Sequence, residues 1–352
     1  MQCADKYLMR GSDISKSPYL LTLTSSLPPF TNPMPDIPEP RADPVRRATA
    51  PFDSDARADA VLCSCDGTHF LVSQHILSLA SPVFADMFSL GGAAPNELLD
   101  GLPVVCMAED AAALDLLLRW CYPIRAPPLG TSLARTWLLA AAMRKYGIDA
   151  FLDAVDDALR VHLASDPIGV LVIAVMLDLD DVTRKALRAT LAMPLAKVAE
   201  AERPGLTDRI LNILIRYYLA CGAAASEVVR SGSFFPPVTI KSGSFALVSW
   251  NLFPDRPEYC TCAVSIVVPS QDATRRLYAP PFVSYFVDTA RHALLHWPGM
   301  CAEDVASLYK MRLCLKCSVN ERAYVEDMKK LIEGVIRHVN DAIDEVPIPM
   351  FF

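Results

Sequence analysis

The chain has 352 residues, a formal net charge of −7, 52% apolar residues and only 21% charged ones. At roughly 150 residues per domain this suggests about two domains, with enough apolar material for a real core. The mild acidity argues against a broad nucleic-acid binder, which needs a basic face to displace phosphate counterions. The longest uninterrupted apolar run, near Ile168–Leu177, is about ten residues, and a bilayer span needs about twenty. Lys6, Arg10 and Lys16 precede Tyr19–Leu23, a stretch too short and too rich in Ser and Thr for a signal peptide. Eleven cysteines, an odd number without dense spacing, read as mainly reduced thiols in an intracellular protein, cytoplasmic or nuclear.

Nine of the 28 prolines fall in residues 1–51, too closely spaced for helix or ladder, which makes that segment a disordered or extended tail. Residues 52–150 read as a small α+β domain. Val61-Leu62-Cys63 and His69-Phe70-Leu71-Val72 flank Asp66-Gly67, a hairpin signal. Ser81-Pro82 opens a helix, because proline at the first helical position loses no needed N–H. Pro103–Met107 is a third strand. Leu114, Leu117, Leu118 and Cys121 recur at helical spacing, and Leu133–Tyr146 is a further helix closed by Gly147. Residues 151–222 carry only helical periodicity and form a helical extension, with Asp166-Pro167, Asp180-Asp181 and Thr207 opening successive helices. Residues 223–281 form a Gly-, Ser- and Pro-rich linker with short strands at Phe245–Trp250 and Ala263–Val268. Residues 282–352 are a helical C-terminal region. In it Val325, Met328, Ile332, Val335, Val339, Ala342 and Val346 step by three and four along a long terminal helix. Such a helix packs on its own domain or serves a partner-binding coiled coil.

Residues 57–150 resemble a BTB/POZ domain, in the form carried by large families of fungal proteins. The resemblance rests on Ala58-Asp59-Ala60-Val61-Leu62, on Asp66-Gly67-Thr68-His69-Phe70, and above all on the run from Ile76 through Ala80-Ser81-Pro82-Val83-Phe84-Ala85-Asp86-Met87-Phe88. Gly101–Val105, Leu114–Pro123 and Ala140–Tyr146 complete it, and a weaker likeness continues through the helical extension and the Cys-containing C-terminal region. The resemblance implies a non-enzymatic protein–protein interaction module or adaptor. It would work by self-association, as a homodimer or higher oligomer, or by binding partner proteins. Asp59, Phe84, Met87 and Phe88 are the positions it implies for protein contact. Three departures qualify it. The family's His and basic positions are Ser73 and Gln74, so Asp59 lacks the basic partner of the charged pocket of BTB repressors. Pro95 stands before Asn96-Glu97 where cullin-binding members carry an apolar residue, which counts against a role as a substrate adaptor of a cullin-type ubiquitin ligase. Residues 41–57 lack the apolar helix that precedes the first strand in dimerising members.

The sharpest chemical spacing is Cys260-x-Cys262 with Cys314-x-x-Cys317. Four soft ligands suit a structural zinc, and Cys-x-x-Cys supplies two from one turn. The competing reading is four thiols packed as small hydrophobes. Arg275-Arg276, Lys310-Met311-Arg312 and Lys316 give a modest basic patch, which with zinc would make a weak nucleic-acid-binding module assembled by the preceding domain. Cys63, Cys65, Cys106 and Cys121 read as core thiols. His292 and His296 share one helix face but lack the intervening carboxylate of a metalloprotease. The clusters Asp153/Asp156/Asp157 and Asp178/Asp180/Asp181 read as solvated faces and caps.

Overall fold

The computed structural model describes residues 46–54, 57–90, 98–232, 234, 264–268, 275–279, 281–315, 318 and 321–351. The strands expected at Phe245–Trp250, and the tail up to residue 45, lie outside them.

The first part of the fold is a five-stranded sheet in the order β1-β3-β2-β5-β4. Strands β2 (Ala60–Cys63) and β3 (Thr68–Val72) form the expected antiparallel hairpin around Asp66-Gly67. Gly67 takes φ 80°, a turn conformation that glycine adopts at no steric cost. Strand β1 (Arg46–Arg47) pairs in parallel with β3. The sheet therefore begins inside the segment read as a tail. Ala48 N–H donates to the His69 carbonyl, and Phe52 is buried, so proline density alone does not exclude a strand here.

Two helices, α1 (Gln74–Ala80) and α2 (Pro82–Leu90), carry the chain from β3 towards β4 (Leu98–Leu99) and β5 (Leu102–Cys106). Strand β5 pairs in parallel with β2, and β4 is antiparallel to β5. Helices α3 (Ala111–Cys121), α4 (Leu133–Tyr146) and α5 (Leu152–His162) follow. Asp110 caps α3 by accepting from Ala113 N–H at 2.8 Å, and Gly147, at φ 62°, closes α4 in the left-handed conformation.

The longest apolar run becomes α6 (Pro167–Met176), buried all round except at its C-terminal residue. A helix without a polar face belongs in the middle of a core, and α6 packs against α4, α5 and α7 (Asp180–Thr190). Its start is capped by Asp166, which accepts from Gly169 N–H at 3.1 Å and is gripped by Arg203 Nε at 2.8 and 3.1 Å. A short α8 (Leu195–Ala199), unmarked in the sequence pattern, leads to α9 (Asp208–Ser231).

Helix α9 runs unbroken through Gly222 and ends at Gly232, φ 63°. The linker read from residue 223 therefore begins nine residues too early. Ala223–Arg230 contains no breaker, and the real stop is the left-handed glycine. Beyond it, β6 (Val264–Val268) pairs antiparallel with β7 (Arg275–Ala279), the latter a strand with no clear alternation. Helices α10 (Pro281–His296), α11 (Ala302–Ser307) and α12 (Glu321–Asp344) complete the chain. Both α10 and α12 pack on α9. Tyr324, Met328, Leu331, Ile332, Val335, Val339 and Ile343 of α12 are buried. The terminal helix thus packs on its own chain, and Val346 lies past its end.

Candidate interaction site

Helix α1 lacks a capping side chain of its own, since Ser73 makes no side-chain hydrogen bond at that N-terminus. Two residues distant in sequence replace it. Asp59 Oδ1 accepts from Gln74 N–H at 2.6 Å, and Tyr122 Oη accepts from Ser73 N–H at 2.6 Å. The Gln74 side-chain amide also donates to the Asp59 carbonyl at 3.0 Å. Position 74 is therefore Asp59's partner through an amide and a main-chain N–H rather than through a cation. Asp59 is already engaged within the domain, a role that only the register of β2 against α1 reveals.

Phe84 is completely buried. Its ring stacks on Tyr146 at 4.5 Å between centroids and on Phe88 at 6.0 Å. Ser81 Oγ donates to the Tyr146 carbonyl at 2.6 Å and accepts from Phe84 N–H at 3.1 Å, tying the start of α2 to the end of α4. Tyr146 Oη in turn donates to Glu109 Oε2, and Lys145 Nζ to Glu109 Oε1, both at 2.6 Å. Burial works to raise the pKa of Glu109, but the hydrogen bonds from Lys145 and Tyr146 together outweigh it and hold the carboxyl below its usual range. Burial, with help from that carboxylate, pushes the Tyr146 phenol well above its ordinary value. Phe84 thus belongs to the core, while Met87 and Phe88 are half-buried at its margin.

The surface of these elements carries other apolar groups. Leu79 is 76% exposed, Val83 38% and Leu98 60%. Leu79 and Val83 flank the α1–α2 corner. Helix α1 is only seven residues long and buries Leu77 alone, which leaves Leu79 in solvent. Of the thiols read as core, Cys65 and Cys106 are exposed, and Cys63 and Cys121 are half-buried. Cys65 lies in the turn after β2, so the strand alternation that grouped it with Cys63 has already ended. Burial pushes the Cys121 thiol up to about 12.

Three residues of the acidic clusters serve as ion-pair partners. Asp156 and Asp181 bind Arg160 at 2.7 and 2.8 Å, and Asp178 binds Arg144 at 3.2 Å. Lys310 and Arg312 line a cleft of about 540 Å³ with Phe282, Tyr285 and Tyr309 at the start of α10. Cys260, Cys262, Lys316 and Cys317 lie outside the described residues, and Cys314 is half-buried against the core. His292 and His296 are exposed on α10. Among the described residues, no group of three or more His, Cys, Asp or Glu side chains is placed to hold a metal ion. Among them, too, no helix is long and apolar enough to cross a membrane.

The curled sheet, the α1–α2 pair between β3 and β5, and the α3–α5 helices agree with the comparison to protein families. Residues 49–163 match the BTB/POZ domain. No curated protein matches the chain. The matched interval includes Phe52 and the whole of α5, and so extends beyond residues 57–150 at both ends. BTB/POZ domains are general protein–protein interaction modules, which bind proteins and often oligomerise. Residues 49–163 of this chain are a BTB/POZ domain, joined to a helical C-terminal part.

Proposed function

We propose that the protein is a non-enzymatic adaptor whose BTB/POZ domain brings two copies of the chain together. The domain match at residues 49–163 carries this reading. The exposed Leu79 and Val83 at the α1–α2 corner support it, because neighbouring apolar groups left in water gain from association. Phe84 and its stacked neighbours hold that corner rigid, so little is lost to ordering on contact. In this reading Met87 and Phe88 form the half-buried border of the contact, and Asp59 sets the pose of α1 without touching the partner.

The test is the native mass of the full chain by light scattering, for the wild type and for Leu79→Asp. The wild type is expected at twice the chain mass and the variant at the chain mass, with unchanged circular dichroism because Leu79 supports no core. A wild-type chain that stays monomeric at high concentration would remove self-association. An unaffected dimer in the variant would move the contact elsewhere.

A further inference from the structure

We propose that Cys63 and Cys106 form a reversible intrachain disulfide when the protein meets hydrogen peroxide. Strands β2 and β5 run parallel, and their register sets Cys63 directly opposite Cys106. The Met107 N–H donates to the Cys63 carbonyl at 2.7 Å, which pins that register at the end of the ladder. Neighbouring strands lie about 4.7–4.9 Å apart, and paired residues project to the same face. A disulfide joins Cα atoms about 4.4–6.8 Å apart, a range that adjacent strands in this register satisfy.

Access divides the two roles. Cys106 is exposed, whereas Cys63 is half-buried, its Sγ 3.6 Å from the Ser64 carbonyl oxygen. Peroxide therefore reaches Cys106 first. The Cys106 thiolate attacks one peroxide oxygen, the O–O bond breaks, hydroxide leaves, and a sulfenic acid forms. The Cys63 sulfur then attacks the Cys106 sulfur. The S–O bond breaks, and the departing hydroxide takes the Cys63 proton as water. Two thiols and one peroxide give one disulfide and two waters.

The other thiols of the domain are placed differently. Cys65 is exposed, but its N–H is committed to the Glu109 carbonyl at 2.8 Å and it lies beyond the register that faces Cys106. Cys121 is held protonated by burial, on helix α3. The bridge would fasten the C-terminal ends of β2 and β5, beside the turn that presents Glu109 and caps α3.

The full chain, reduced and freed of reductant, is treated with hydrogen peroxide, its remaining thiols are alkylated, and the digest is read by mass spectrometry with fragmentation to place each sulfur. The expected product is a peptide pair joined through Cys63 and Cys106, two hydrogens lighter than its separate peptides and released by dithiothreitol. It is retained in Cys65→Ser and lost in Cys106→Ser. Both variants alter exposed side chains, and circular dichroism checks that they fold. A bridge through Cys65, a bridge between two chains, or oxidation of Cys106 with no bridge to Cys63 would each overturn the proposal.

Discussion

The BTB/POZ domain and the helical block built on α9 both tie distant elements with polar side chains, but the block adds a backbone contact that leaves no room for a side chain. In the domain, polar side chains join elements far apart in sequence. Asp59 and Tyr122 satisfy the start of α1, Asp66 accepts from Ala111 N–H at the start of α3, and Ser81 and Glu109 fix α2 and α4 through Tyr146. In the α9 block Tyr218 Oη donates to the Met193 and His296 carbonyls and Trp297 Nε1 to the Ala192 carbonyl, and a close approach of backbones adds a demand of shape. A Cβ added to Gly222 would lie 2.3 Å from the Leu295 carbonyl oxygen of α10, closer than any real contact. Removing a partner or a buried ring therefore costs stability in the domain, whereas at the α9–α10 contact adding an atom does.

Four substitutions and conditions sharpen that contrast. The largest effect belongs to Phe84→Ala, which empties a fully buried site between Tyr146 and Phe88. It should cost about 3–5 kcal/mol by chemical denaturation. Next comes Gly222→Ala. Helix propensity alone predicts a gain of about 1 kcal/mol at an interior position. The close approach of α10 predicts instead a loss of about 1–3 kcal/mol, since the backbone must shift. A measured gain would show that the α9–α10 contact opens for a methyl group at little cost. Asp59→Ala should cost about 1 kcal/mol, the usual value of a lost cap, with Asp59→Asn recovering most of it.

The smallest effect is a pH dependence. Because the folded pKa of Glu109 is depressed, its contribution is fully present above the unfolded value of about 4.3 and is lost as pH falls through the folded one. Denaturation midpoints of the wild type should therefore fall on acidification through that range. Glu109→Gln should flatten the fall. A variant with the same acid limb as the wild type would assign the loss to other carboxylates.

The domain was legible in the sequence where signals are local. Asp66-Gly67, Ser81-Pro82, Asp166-Pro167 and Gly147 each mark a turn or cap through their own backbone chemistry, and the elements stand where these residues place them. The run from Ile76 to Phe88 carried the family resemblance. What stayed hidden depends on distant partners. No local pattern distinguishes buried Phe84 from exposed Leu79, because α1 and α2 are short and their outward faces are set by what α3 and α4 cover. Nor does spacing reveal that Asp59 binds the start of α1, or that Gly222 is a contact point rather than a helix end. Strand β1 was missed for the same reason, as Arg46-Arg47 has no strand pattern and is ordered by pairing with β3.

In the proposed assembly the BTB/POZ domain of one copy would contact that of another. The direct measurement mixes isotope-labelled with unlabelled full-length chain, cross-links the mixture with carboxylate- and amine-reactive reagents, and sorts linked peptides by isotope composition. Mixed-isotope pairs joining residues within 49–163, lost in Leu79→Asp, are the predicted result. Linked pairs of a single isotope only, or mixed pairs confined to the helical block, would contradict it.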